Sequence, residues 1–233
     1  AELSADAWDA CALGGTEEDD RRPYNPFLSH AFLHALEASG SAVAERGWQP
    51  LHLALETAGG ELLGAVPAYV KSHSQGEYIF DHAWAEAFHR AGGSYYPKLL
   101  VAVPFTPATG PRLLARGGQD LDLTDVQDAL VQGLVEVGER SGVSSVHVNF
   151  PTESEYQRMG SLGLLQRMDQ QFHWLNAGYG SFEDFLAELA SKKRKNLKRE
   201  RREALDNEIE IEWVTGSDLR EHHWDAFYQF YVD

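Results

Sequence analysis

Apolar positions along the chain change their spacing several times, and each change marks an element. Residues 28–39 (LSHAFLHALEAS) repeat at three and four, which predicts an amphipathic helix. Residues 50–56 (PLHLALE) and 61–71 (ELLGAVPAYVK) read as strands joined by a turn at Ala58-Gly59-Gly60, a β-hairpin. A helical stretch at 81–91 (DHAWAEAFHRA) meets a Gly-Gly break and then a strand at 97–104 (PKLLVAVP). Pro104, Pro107, Gly110 and Pro111 stiffen the loop that follows. A strong helix is predicted over 124–140, with Thr124 as N-cap and Ser141-Gly142 as its stop. Then come a buried strand at 144–150 (SSVHVNF), a short helix at 152–161 and a long strand at 164–175 (LLQRMDQQFHWL).

Beyond Gly180 the pattern changes. Ser181 with Asp184 forms a capping-box signature ahead of Phe182, Phe185, Leu186 and Leu189. A basic segment follows, then a strand at 208–214 (EIEIEWV) and a helix from about 218. Helices and strands in this order predict an α/β (α+β) layer. The break near 176–181 divides it into a first domain, 1–178, and a second, 179–233. The chain opens on Ala1 in a helical pattern and stops at Phe230-Tyr231-Val232-Asp233 inside another. Both ends read as cut, so the second domain is expected to be incomplete.

Composition narrows the setting. An apolar fraction of 43% suits a packed core rather than disorder. No run approaches the roughly 18 apolar residues of a membrane helix, and no basic stretch precedes an apolar one at the start. The single cysteine, Cys11, excludes an internal disulfide framework and a Cys-based zinc cluster. A cytoplasmic protein without membrane insertion is expected.

Charge adds the most. Residues 192–202 (KKRKNLKRERR) hold eight of the twenty Lys and Arg residues against one acid. Their local charge is +7, which leaves −23 on the rest of a chain whose net charge is −16. At about 100° per residue, Lys192, Arg194, Lys195, Lys198, Arg199 and Arg202 fall within about 160° of one helix face. Leu197, Ala204 and the stems of Lys193 and Arg201 lie opposite. With Ser191 as N-cap, main-chain N–H groups and cations would converge on an anion there, a phosphate above all. The alternatives are a solvated face neutralised by the acidic remainder, and RNA binding, which the lack of interleaved aromatics disfavours.

Other candidates are sparser. His30 and His34 have the spacing of paired metal ligands but lack a third, so no metal is expected. His147 and Asn149 share one strand face; Gln171 and His173 share another near a strand end. The loop from Phe105 to Arg112 carries Thr106, Thr109 and Arg112 among prolines, a composition suited to shaping a cleft or simply to crossing a sheet end. Asp81 with His82 and the run Tyr95-Tyr96-Pro97-Lys98 are further candidates for the same cleft. Asp81 and His173 are the candidate catalytic side chains. Nucleophile elbow, Walker loop and dinucleotide fingerprint are all missing from the sequence.

Several segments together resemble a family. They are NPFLSHAFLHALEASG (25–40), GWQPLHL (47–53), YYPKLLVAVPFTPATGPRLL (95–114), VHVNFPTE (146–153) and QFHWLNAGYGSFEDFLAELASKKRKNLKRER (171–201). The chain resembles the bacterial predicted N-acyltransferases labelled peptidoglycan biosynthesis or recognition proteins, relatives of the Fem aminoacyltransferases. The resemblance implies two tandem GNAT-like (acyl-CoA N-acyltransferase) domains, the first complete and the second only begun, with substrate bound between them. It implies transfer of an activated acyl group to an amine, with acyl-CoA or aminoacyl-tRNA as co-substrate and no permanently bound cofactor. The implied partner is an anionic or phosphorylated small molecule such as a cell-wall precursor, with tRNA as a further candidate. By resemblance, Arg194, Lys195, Asn196 and Arg199, with Lys192 beside them, hold the precursor. The usual GNAT pyrophosphate loop is absent and loop 105–118 stands in its place, which puts acyl-CoA binding by the first domain in question. A non-catalytic GNAT-like module that recognises a phosphorylated or peptidoglycan-derived ligand is the alternative.

Overall fold

The computed structural model describes residues 3–13, 24–116, 122–170, 172–206 and 210–232. The chain forms two compact units, residues 1–170 and 171–233.

In the first unit the expected hairpin is present, but it is divided between two sheets. Its arms are β1 (Trp48–Pro50) with β2 (Leu53–Glu56), and β3 (Leu62–Val66) with β4 (Ala68–Lys71). The pairing keeps one register across the division, Pro50 opposite Tyr69 and Leu53 opposite Val66. Pro67 causes the break, because it has no N–H to give the ladder. Beside it the Ala68 N–H donates instead to His52 Nδ1 (3.2 Å), and His52 Nε2 meets the Glu37 carboxylate at 2.8 Å. With β5 (Lys98–Val101), β6 (Leu114–Ala115) and β7 (Val146–Val148), the strand orders are β1-β4-β5-β7 and β2-β3-β6. All pairs are antiparallel except β5 with β7.

The parallel pair requires a crossover, supplied by helix α4 (Leu123–Ser141). Asp122 rather than Thr124 is its N-cap, accepting the Thr124 N–H, and Gly142 ends it in the left-handed region. Val126, Leu130, Val131 and Leu134 form its buried stripe and pack on β2, β3 and β6. Gly64 permits that approach: a Cβ there would lie 3.0 Å from the Leu114 carbonyl oxygen and from the Leu130 and Val126 side chains. Fully burying a leucine such as Leu130 contributes about 1.5–3 kcal/mol.

Helix α1 (Ala5–Ala12), capped by Ser4, buries Trp8, Cys11 and Ala12 against Leu28 and Leu33; the latter lies on α2 (His30–Ala38). Helix α3 (His82–Arg90) contributes no buried residue. Helix α5 (Glu153–Ser161) starts with a complete capping box, Thr152 with Glu155, and Arg158 on it grips Asp128 of α4 with two bonds.

The second unit contains α6 (Phe182–Glu188), α7 (Ser191–Leu205) and α8 (Glu221–Val232). Ser181 Oγ accepts the Asp184 N–H at 3.2 Å, as the sequence predicts. Ser191, however, is the first helical residue; the N-cap is Ala190, which has no side-chain bond to offer. Two expected strands are not formed. Residues 164–170, 172–175 and 210–214 carry no strand, while 171 and 207–209 lie outside the described residues. Alternation shows which face a residue would present, but a strand exists only when a neighbour supplies ladder partners. Trp213, 90% exposed, shows how little covers the second of these segments. Among the described residues, no helix is long and apolar enough to cross a membrane.

Candidate functional site

Three groups of polar side chains stand out, and the most heavily buried lies where β1, β4 and β5 meet. The register sets Trp48 opposite Lys71, and Lys71 opposite Lys98, in one row across the sheet. Two lysines facing each other destabilise a sheet unless anions are supplied. The segment after β4 supplies them. Lys98 Nζ lies 2.6 Å from Asp81 Oδ2 and 2.8 Å from Glu77 Oε2, with all three side chains fully buried. It also donates to Ser74 Oγ at 3.0 Å, and Ser74 shares a 2.7 Å bond with the Tyr96 hydroxyl. The Tyr95 hydroxyl donates to Asp81 Oδ2 at 2.7 Å. Lys71 Nζ sits 3.5 Å above the centre of the Trp48 ring and donates to the Gln75 carbonyl at 3.2 Å.

Burial and charge divide the proton affinities of this cluster. Burial would raise Asp81, but the bonds from Lys98 and Tyr95 outweigh it and hold the carboxyl at about 2. Asp81, a candidate base from sequence, is therefore the ionised partner of a lysine and a poor proton acceptor at neutral pH. Glu77 goes the other way, because burial exceeds the help from Lys98. Burial pulls Lys71 down to about 7, with Lys98 lowering it further and Glu77 opposing. Burial, followed by the charge of Lys98, takes His147 to about 4, so its ring is neutral beside Ser145 Oγ at 2.9 Å. An amine that titrates near pH 7 can exchange a proton under working conditions.

Lys71 also gives the fold a definite pH response. Its folded value of about 7 lies below the ordinary 10.5, so between the two the unfolded chain binds the proton more tightly. The destabilising contribution is complete below about pH 7 and fades as pH rises towards about 10. The urea midpoint is expected to climb between about pH 7 and pH 9.5. Lys71→Met should flatten the climb, and equal slopes in the two proteins would refute the assignment.

The second group is the loop over 105–112. Arg112 is fully buried and donates Nε to the Asn149 carbonyl (2.9 Å), Nη1 to Gly110 and Pro111 (both 3.1 Å) and Nη2 to Ala108 (2.7 Å). All three nitrogens face main-chain carbonyls, so Arg112 shapes the loop and has little left for a substrate. Glu155 Oε1 accepts the N–H groups of Arg112 and Leu113, each at 2.8 Å. Thr106 bonds the Pro104 carbonyl. Thr109 alone of the three sequence candidates lines an open cleft of about 600 Å³, together with Asn25, Phe27, Gln127, Thr152 and Ser154. Asp81 and Lys98 lie together, as their pairing in the buried cluster requires, but away from this cleft.

The third group is α7. Of the six cations assigned to one face, Arg194 donates to the Ala187 carbonyl at the end of α6 (3.1 Å) and Lys198 pairs with Glu183 at 2.6 Å. Arg199 Nε lies 3.6 Å from Glu203, and Arg201 stacks over Phe182. Lys192, Lys195 and Arg202 form no ion pair with a described residue, and Asn196 is exposed beside them. His173 lies on an exposed segment without strand structure. His30 and His34 stack on each other.

A family model for peptidoglycan biosynthesis/recognition proteins, FemAB-like, matches residues 1–233. The chain belongs to the FemAB-like family. No curated protein and no solved structure matches it significantly. Membership ties this FemAB-like chain to peptidoglycan-related biosynthesis or recognition. The buried cluster was not readable from its sequence. Lys71, Glu77 and Trp48 look like ordinary strand-end and turn residues until the register sets them in one row.

Proposed function

We propose that this FemAB-like chain is part of a cytoplasmic N-acyl- or aminoacyltransferase with GNAT-like domains, acting on an amine of an anionic cell-wall precursor. The observation that carries the reading is the start of α7. Its first N–H groups have no side-chain cap, and Lys192 and Lys195 stand beside them without an ion pair among the described residues. Uncapped N–H groups at a helix N-terminus and nearby cations favour a phosphate oxygen together. The acceptor amine attacks the carbonyl carbon of a thioester or aminoacyl ester. The thiolate or ribose oxygen leaves, and the proton lost by the amine ends on that leaving group. The protein contributes chiefly position and stabilisation of the oxyanion.

Two measurements test this. The full chain is incubated with acyl-CoA or charged tRNA and nucleotide-sugar cell-wall precursors, and acyl transfer to an amine is followed by mass spectrometry; no transfer to any acceptor sinks the enzymatic reading. The double substitution Lys192→Ala, Lys195→Ala is expected to weaken precursor binding on the order of tenfold, because two unpaired cations are lost from an exposed site. Unchanged affinity in calorimetry removes α7 from the site. The second reading, a binding module without turnover, is favoured by Asp81 being held as the partner of Lys98, and predicts binding with no acyl product.

A further inference from the structure

The buried cluster combines close ion pairs with local costs. Lys71 and Lys98 are opposite partners on adjacent strands; both acids that pair with Lys98 come from one segment, 77–93, and Lys71 forms no ion pair with a described residue. Apart from those two carboxylates, Arg167 holds the segment through the Ile79 carbonyl and over the Trp84 ring. Tyr78 and Phe80 hold left-handed backbone angles (φ 60° and 48°), which cost non-glycine residues on the order of 1 kcal/mol each. Their side chains are exposed, so burial does not compensate. Helix α3 buries nothing and leaves Trp84 61% exposed. Gly76 precedes the segment at φ +78°, packed against the Phe105 ring with its carbonyl accepting the Phe105 N–H, and Gly92 follows the helix at φ +84° with open space around it.

Asp81 shows the conflict most clearly. It occupies the N-cap position of α3, where aspartate is among the best caps, yet it makes no capping bond because its carboxylate is turned to Lys98. Glu77 Oε1 and Asp81 Oδ1 are buried without a hydrogen-bond partner, and so is the Trp48 indole N–H in the same row. Buried polar atoms left unmatched in this way are expensive.

We propose that the Lys71–Lys98 pair is a binding site for a small dianion, and that Glu77 and Asp81 occupy it here as the protein's own carboxylate stand-ins. A ligand with two anionic groups, carboxylate or phosphate, takes their place on Lys98 and reaches Lys71, with which neither acid pairs here, and the Trp48 N–H and the Ser74 and Tyr96 hydroxyls are further donors. Segment 77–93 then swings out between Gly76 and Gly92. Tyr78 and Phe80 leave the left-handed region, and Asp81 becomes free to cap α3. Each cost in the closed arrangement becomes a gain on opening. The site is separate from the α7 cations and does not depend on acyl transfer.

Hydrogen exchange of the full chain, with inorganic pyrophosphate or succinate as probe, tests this. Exchange over 77–93 is expected to rise when the probe binds, while amides of β4 and β5 become more protected. Glu77→Gln removes one competing anion and should tighten binding about tenfold. The pair Tyr78→Gly, Phe80→Gly relieves the closed backbone and should weaken binding by about the same factor. A response to pyrophosphate alone assigns phosphate chemistry, and one to succinate alone assigns carboxylate chemistry. The responses should persist in the Lys192→Ala, Lys195→Ala protein, which separates this site from the helix α7 reading. The proposal is overturned if exchange over 77–93 is unchanged or falls with both probes. It is equally overturned if Glu77→Gln and the glycine pair leave affinity unaltered, or if binding disappears with the α7 lysines.

Discussion

Lys98→Met is expected to lower the stability of the protein by about 3–5 kcal/mol, the usual cost of removing one side of a buried ion pair. Methionine fills much the same volume, so the loss comes from charge and not from a cavity. It leaves Asp81 and Glu77 facing each other in a site closed to water, with Lys71 the remaining cation. Urea denaturation at pH 7 measures the loss directly. The triple substitution Lys98→Met, Glu77→Gln, Asp81→Asn should recover most of it, because it removes the unpaired charges as well. A single variant as stable as the parent would show that the cluster is solvated, contrary to its burial. The parent carries the matching acid signature. The Asp81 carboxyl, held at about 2, lies below its ordinary 3.8, so its contribution is complete above about pH 4 and is lost as pH falls towards about 2. The size of that contribution is on the order of 2 kcal/mol. Lys98→Met should abolish this part of the acid transition.

Arg112→Lys is the second large effect, expected at about 2–4 kcal/mol despite the retained charge. The guanidinium serves four carbonyls, of Ala108, Gly110, Pro111 and Asn149, from three nitrogens in one plane. A lysine ammonium has three donors at a single point and cannot reach all four. At least one carbonyl is then left buried and unmatched, and the loop it holds carries Thr109 into the cleft. Thermal unfolding should shift down by about 2–4 °C per kcal/mol lost. An unshifted transition would mean that the loop is held by Glu155 through the Arg112 and Leu113 N–H groups alone.

What the sequence made legible was local. The hairpin turn, helix α4 and the Ser181–Asp184 cap all depend on residues within a few positions of one another, and each formed. The strands expected at 164–175 and 208–214 are absent over their described residues because alternation cannot say whether a neighbouring strand is present. Ser191 failed as a cap by one residue, since the helix already includes it. Arg112 was singled out as a ligand contact because it is a cation among prolines, and here its own loop supplies the acceptors. Asp81 was noticed without its role, because Lys98 lies 17 positions away and Lys71 meets Lys98 only through strand register. Among the α7 cations, periodicity gave the face but could not foresee that Arg194 and Lys198 would turn to α6.

The row of buried charges also constrains how such a chain can change through descent. Lys71, Lys98, Glu77 and Asp81 balance only as a set, and each sits in a place that water does not reach. A lineage that loses either lysine first passes through an unstable intermediate, and one that loses an acid first leaves lysines opposed. The four positions are therefore expected to be inherited together or exchanged together for apolar residues, behaving as a single character spread over 28 positions of sequence.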